Sequence, residues 1–491
     1  MRRNMNVAVA SLVLLLGMGG CNGFLTGEKL SVDPNAPSIA SAQQLFVAVQ
    51  AGQFAFQEGT VAMMMCMWVQ ACGAENSRFV EQAGRYNYGA GSNIGANSGD
   101  WITIYAGGGL IDIRNIKAAA LGVQDSTYLA IAQIWEAFTI GTAADMWGSV
   151  PYTQTATSAQ PDTDSQFAIY DSVQSLLTQS IRELGSGVGA GPAGADLIFQ
   201  GNRAKWIATA YTLKARYWMH VAEAAAAGKL PSGLTAAQVY NNAIVAATLG
   251  ISDQSGKSDF RSFHTKATSE RNMWTQFQTG SGFGTDLAAG KPLVDTMNAR
   301  NDPRLPVYFC KNGAGGYGGE AFNAAQPGPS VSFFDCIPPR FAPDSGVAFV
   351  SYGENQLILA EANHGLGNDA AALAELNAQR TYVNTKYPAT PPQVALPQLV
   401  GITGAALLNA IMIDKWILMF QNIETIMDYR RTCIPNVPYV RGNILSLTTV
   451  PGELFYPNNE RNVNPQHIPT EGAEINAGVR TEADIAPCPS P

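Results

Sequence analysis

The chain of 491 residues is 46% hydrophobic and carries a formal net charge of -8 at neutral pH. That apolar content can fill a large core and excludes an intrinsically disordered chain. The acid excess excludes a surface that tracks phosphates, so nucleic acid is not an expected partner.

At the start, Arg2 and Arg3 precede an apolar run from Val7 to Leu16, followed by Gly17, Met18, Gly19, Gly20 and Cys21. This pattern predicts a secretory signal over 1–20, whose apolar part is too short to span a bilayer. It resembles a bacterial lipobox, with Met18 where Leu is more usual, and the resemblance implies that Cys21 becomes the lipidated first residue of the mature chain. An ordinary signal peptide followed by a chance cysteine is the alternative. Loss of Arg2 and Arg3 leaves 28 basic against 38 acidic residues, a formal charge of -10. No later segment is an uninterrupted apolar run of membrane-spanning length, so membrane attachment is expected through the lipid alone.

From about 40 to 255 the pattern predicts amphipathic helices. The methionine run at 62–68 reads as core, since Met fills irregular gaps. Ile131, Ile134, Trp135 and Phe138 recur at helical spacing, giving a helix that ends near Asp145. Trp147, Gly148, Pro151 and Tyr152 follow at once. Gly148 suits a left-handed exit and Pro151 keeps the helix from resuming. Next, Thr163 and Gln166 fit a capping box before the stripe Ile169, Val173, Leu177, Ile181 and Leu184. After the glycine-rich loop at 185–195, Trp206, Ala210, Leu213 and Tyr217 share a face. Periodicity fails over 256–350, an irregular excursion. It returns over 351–433, where Trp416, Phe420, Ile423 and Met427 lie on one face. The tail 434–491 is rich in Pro and Asn and is expected to pack as an extended surface strip.

Six cysteines follow Cys21, an even set consistent with three disulfides whose pairing the sequence leaves open. Cys310 and Cys336 bracket a glycine-rich loop and are the first choice of pair; Cys433 with Cys488 would tie the tail to the last helix. No CxxC occurs and His220, His264, His364 and His467 lie far apart, so neither zinc nor another cofactor is indicated. The stretch GAGGYG at 313–318 fits a dinucleotide fingerprint but no helix is expected after it, so it reads as a flexible loop. No acid pair stands out as glycosidase machinery. More suggestive are Phe79, Tyr86, Tyr88 and Trp101, interleaved with Arg78, Asn87, Asn93 and Asn97 in glycine-rich sequence. Flat rings beside amide and guanidinium donors suit sugars, which present apolar ring faces and many hydroxyls. On this reading Tyr86, Tyr88, Trp101 and Tyr317 offer ring faces while Arg78 and Asn93 orient the ligand. The competing reading is that the rings pin a loop to the core.

Several segments, taken in order, resemble SusD/RagB-like outer-membrane lipoproteins: WEAFTIGTAADMWGSVPYTQTA, DSQFAIYDSVQSLLTQSIREL, DLIFQGNRAKWIATAYTLKAR, ENQLILAEA, KWILMFQNIETIMDYRRTCIPNV and FYPNNERNVNP. The resemblance implies a mostly α-helical single domain over 21–491, built of tetratricopeptide-type helix pairs with loop-rich additions, although no 34-residue period is visible. It implies that Asp145, Trp147, Gly148, Pro151, Tyr152, Asp428, Arg430 and Arg431 are structural hallmarks. It also implies a non-enzymatic lid on a TonB-dependent (SusC-like) outer-membrane transporter that captures an oligosaccharide or other nutrient at the cell surface. Cys433 stands where the family commonly has Gly, which a disulfide would explain. A secreted glycan hydrolase and a helical scaffold for protein partners are the alternatives.

Overall fold

A computed structural model describes residues 40–74, 86, 98–280, 286–321, 330–437 and 449–488. The first half is a run of helices: α1 (Ala42–Glu58), α2 (Thr60–Trp68), α3 (Ser98–Tyr105), α4 (Leu110–Gly122), α5 (Ser126–Trp147), α6 (Gln166–Ser186), α7 (Arg203–His220), α8 (Ala222–Ala226) and α9 (Ala236–Thr248). The stretch read as irregular holds only short helices, α10 (Met273–Thr279), α11 (Lys291–Ala299) and α12 (Leu305–Tyr308). Longer helices return as α13 (Tyr352–Gly365), α14 (Asp369–Lys386), α15 (Gly404–Leu418) and α16 (Glu424–Thr432), and the tail adds α17 (Asn458–Val463) and α18 (Glu471–Asn476). The strands are very short: β1 (Cys72–Ala74), β2 (Val150–Pro151), β3 (Thr163–Asp164), β4 (Phe260–Arg261), β5 (Leu287–Ala289) and β6 (Ala348–Val350). They pair antiparallel as β1 with β5, β2 with β3 and β4 with β6.

The helices pack in succession. α4 lies on α5, α5 on α6, α6 on α7, α7 on α9, α9 on α13, and α13 on both α14 and α15. α5 is buried on every side from Thr127 to Trp147, more than the single stripe of Ile131, Ile134, Trp135 and Phe138 predicts, because neighbours pack around the whole helix. Phe260 fills the centre of an aromatic cluster, with the rings of Trp135, Phe138, Trp206 and Phe349 at 5.0–5.5 Å. Met63–Met67 are buried in the same core. No described helix is long and apolar enough to cross a membrane.

Three local expectations need correction. The cap of α6 is Ser165, whose side chain accepts from the Ala168 N–H; Thr163 instead pairs in β3. The stripe Trp416, Phe420, Ile423 and Met427 is buried but spans two helices, since α15 ends at Leu418 and α16 starts at Glu424. Asn422 makes the break, donating to the carbonyls of Ala348 and Phe349 and accepting from the Glu424 N–H. Lastly, the tail is no surface strip: Leu454, Phe455, Tyr456 and Val479 belong to the core.

Candidate functional site

The residues picked as ligand contacts fall into three groups. Arg78, Tyr88 and Asn93 lie outside the described residues. Tyr86 and Trp101 are buried, which corrects their assignment as solvent-facing rings. Tyr86 meets Trp68 edge-on at 6.0 Å. Trp101 packs edge-on against Trp147 at 5.2 Å and Tyr456 at 5.6 Å, and its indole donates to Glu460 at 3.1 Å. Both are therefore rings that pin their segment to the core. Tyr317 is half-buried, and burial raises its phenol pKa above the usual tyrosine value.

The described flanks of the glycine-rich segments converge. Ala74 pairs with Leu287, so the stretch 75–97 leaves β1 beside the entry to β5. Glu320 joins the same edge: its N–H donates to Ala289 O at 2.7 Å, and its carbonyl accepts from the Lys291 N–H at 2.8 Å. Gly73 permits this approach, because a Cβ there would lie 2.7 Å from the Glu320 Cβ. Tyr317 stands three residues before Glu320, and its carbonyl accepts from Asn298 Nδ2 at 2.9 Å. A Cys66–Cys72 disulfide staples β1 to α2, and a Cys310–Cys336 disulfide closes the Tyr317 loop. That loop is no phosphate cradle and is internally braced: the Asn312 side-chain oxygen accepts from the N–H groups of Ala314 and Gly316, each at 3.1 Å. The junction thus brings Ala74, which precedes the Arg78–Asn93 stretch in sequence, close to Glu320, which follows the Tyr317 loop.

At the C-terminal end of α5, Gly148 turns the chain at φ +70° and Pro151 enters the β2–β3 pair. The Trp147 indole donates to the carbonyl of Phe455 at 3.1 Å. The Tyr152 hydroxyl donates to Glu136 at 3.1 Å, and Arg114 both donates to the Tyr152 carbonyl at 3.0 Å and stacks over its ring. Trp147 is fully buried and Tyr152 nearly so. No ring face in this turn is free for a ligand.

The family described as "Starch-binding associating with outer membrane" (SusD-like) matches residues 34–457. The chain belongs to the SusD-like family. No curated relative matches it. Among solved structures, it is similar to a chitin-binding SusD homologue from Flavobacterium johnsoniae, with a TM-score of 0.73 at 17% identity over 90% of this chain and 98% of that one. A SusD/RagB family protein from Bacteroides thetaiotaomicron gives a TM-score of 0.68 at 19% identity, covering 91% and 98%. An outer-membrane protein from Bacteroides vulgatus, whose name refers to nutrient binding, gives 0.64 at 16% identity, covering 91% and 99%. The mostly helical SusD-like fold is thereby shown, and with it membership of an outer-membrane family of nutrient and glycan binders.

In this SusD-like chain the charged hallmark residues form a buried network. His220 lies between two carboxylates, with Nδ1 3.0 Å from Asp145 and Nε2 2.7 Å from Glu424. Burial alone would lower its pKa, but the Glu424 and Asp145 charges outweigh burial and raise it to about 9. Arg216 grips Glu354 with two bonds of 2.6 and 2.7 Å and lies 3.7 Å from Glu424. On α16, Asp428 pairs with Lys415 at 2.7 Å and with Arg431 at 2.8 Å, while Arg431 also reaches Glu361 at 2.7 Å. Arg430 donates to the carbonyls of Asp145 and Gly452 and pairs with Asp484. Asp145, His220 and Glu424 have the composition of a metal site. Nε2, however, hydrogen-bonds Glu424 and Nδ1 lies within ion-pair range of Asp145, an arrangement that suits a protonated ring between two carboxylates. The network joins α5, α7, α13, α15 and α16. Sequence reading missed His220, Arg216, Glu354 and Glu424 as its members, because no local pattern links positions so far apart.

Proposed function

We propose that this chain is a surface nutrient-binding lipoprotein that captures a glycan and hands it to a TonB-dependent transporter, without breaking a bond. Cys21 would carry the lipid and hold the domain at the outer membrane. The observation that supports this reading is the β1–β5–Glu320 junction, where Ala74, just before the Arg78, Tyr88 and Asn93 stretch in sequence, comes close to Glu320, just after Tyr317. Stacking on a ring contributes about 1 kcal/mol and a few hydrogen bonds a similar amount each, so moderate affinity is expected. Membership of the SusD-like family supports the glycan as ligand class, and the chitin-binding name of one structural neighbour suggests the first probes.

Calorimetric titration with chito-oligosaccharides and malto-oligosaccharides tests this. Tyr317→Ala and Tyr88→Ala should each weaken binding about fivefold, equivalent to about 1 kcal/mol, while leaving the melting temperature nearly unchanged. Absence of binding to every soluble glycan tried, or release of reducing sugar during the titration, would overturn the proposal.

A further inference from the structure

A cavity of about 270 Å³ opens where the β4–β6 pair meets the end of α14 and the link between α15 and α16. Its walls include Asp259, Arg261, Arg340, Tyr382, Lys386 and Gln421. Three cations therefore surround one carboxylate, in a chain whose formal charge is -8. That carboxylate is already engaged. Asp259 is buried, with one oxygen accepting from the Tyr352 N–H at 2.9 Å and the other from Arg261 Nη2 at 3.0 Å.

The cations are held in place rather than left to wave in solvent. The Arg340 guanidinium stacks 4.4 Å above the Tyr308 ring, donates to the Gln421 side-chain oxygen at 2.6 Å and reaches the Leu418 carbonyl at 3.2 Å. Arg261 Nη2 and Lys386 Nζ both come near Gly256, at 3.4 and 3.9 Å from where its Cβ would stand. Lys386 donates to the Tyr382 hydroxyl at 2.7 Å. Burial lowers the Lys386 pKa; Asp259 opposes this, while the Arg261 and Arg340 charges add to it, so a negative ligand would ease the repulsion among the three cations. Gln421 is 1% exposed, yet its Nε2 finds no acceptor among the described residues, and neither does Arg261 Nε. Buried donors without partners are rare and costly. A planar guanidinium fork matches the paired oxygens of a carboxylate or a tetrahedral oxyanion.

We propose that this cavity binds a small oxyanion, a carboxylate, sulfate or phosphate group on a ligand no larger than one sugar ring. The size follows from the volume, just under the roughly 300 Å³ at which pockets begin to hold drug-sized molecules. Arg340, fixed by Tyr308 and Gln421, makes the principal contact. Gln421 Nε2 supplies a neutral donor, and Arg261 and Lys386 close the rim. The site is independent of the glycan reading, since it shares no residue with the junction around Glu320.

The test is calorimetric titration of the mature chain with sodium glucuronate, sodium sulfate and sodium phosphate, with glucose as the neutral control. At least one anion should bind while glucose does not. The rim double variant Arg261→Gln/Lys386→Gln should weaken that binding at least tenfold but also melt lower in anion-free buffer, because the buried Asp259 loses Arg261; Lys386→Gln alone leaves that pair intact and should weaken binding with an unchanged melting temperature. Tyr317→Ala should leave it unaltered. Tighter binding of glucuronate than of sulfate and phosphate identifies an organic acid as the ligand, and the reverse identifies a free inorganic anion. Equal binding of glucose, no binding of any anion, or anion binding indifferent to the double variant would overturn the proposal.

Discussion

Deprotonating His220 should destabilise the folded chain from within. Its pKa stands at about 9 in the folded state against 6.5 for an ordinary histidine, because the Glu424 and Asp145 carboxylates outweigh burial. A raised pKa means that the folded state holds the proton more tightly than the unfolded state. The added stability is therefore complete below pH 6.5 and is lost as pH climbs through about 9. The difference of 2.5 between those values corresponds to about 3 kcal/mol. His220→Gln removes the charge but leaves both carboxylates buried, with Arg216 near Glu424 and the Tyr170 hydroxyl donating to Asp145. Breaking a buried pair in this way costs about 3 to 5 kcal/mol. Urea unfolding followed by tryptophan fluorescence, at pH values from about 6 to about 10, gives the free energy at each pH. Wild type should lose about 3 kcal/mol more across this range than His220→Gln, whose curve starts lower and runs flatter. Parallel pH curves for the two proteins would refute the reasoning, because the alkaline loss would then come from other groups.

Trp147→Ala should cost about 3 to 5 kcal/mol, since it empties a fully buried site and leaves the Phe455 carbonyl without its indole donor. Trp101→Ala should behave the same way, and urea midpoints read both; a change below about 1 kcal/mol at either position would mean that the ring is not core. Replacing Cys433 and Cys488 by Ser opens a closure of 55 residues, worth about 4 kcal/mol of unfolded-chain entropy, and should lower the urea midpoint accordingly. Peptide mapping without reduction should recover the three links Cys66–Cys72, Cys310–Cys336 and Cys433–Cys488. Cys21→Ser should move the protein from the membrane fraction to the soluble one; unchanged membrane association would rule out the anchor.

What could be read in advance was what a local pattern encodes. The stripes on α5, α6 and α7 follow from spacing alone, because a helix repeats within a few residues. The exit at Gly148 and Pro151 follows from two residues with restricted backbones. Long-range choices were less visible. Composition does not tell a ring that faces solvent from one that anchors a loop, and Trp101 is decided by Trp147 and Tyr456, which arrive from elsewhere. The apolar stripe through Phe420 hid the break between α15 and α16, which Asn422 makes by bonding to β6. The oxyanion cavity draws on positions from Asp259 to Gln421, so no segment carries its signature. Cys66 and Cys72 were counted but not paired, since spacing alone does not choose among partners.

The long reach between Trp147 and the tail bears on how the molecule is made. The indole of Trp147 and its acceptor at Phe455 are 308 residues apart, and Arg430 needs Gly452 and Asp484. During synthesis and export, the helical stack can assemble before these acceptors emerge, but its central turn then holds polar groups with nothing to bind. Such groups favour opening, and open chains are cut by proteases. Arrival of the segment from Cys433 onward acts as a latch, which the Cys433–Cys488 bond then locks. A product broken off before Phe455 stays unlatched, so the residues made last decide which molecules survive.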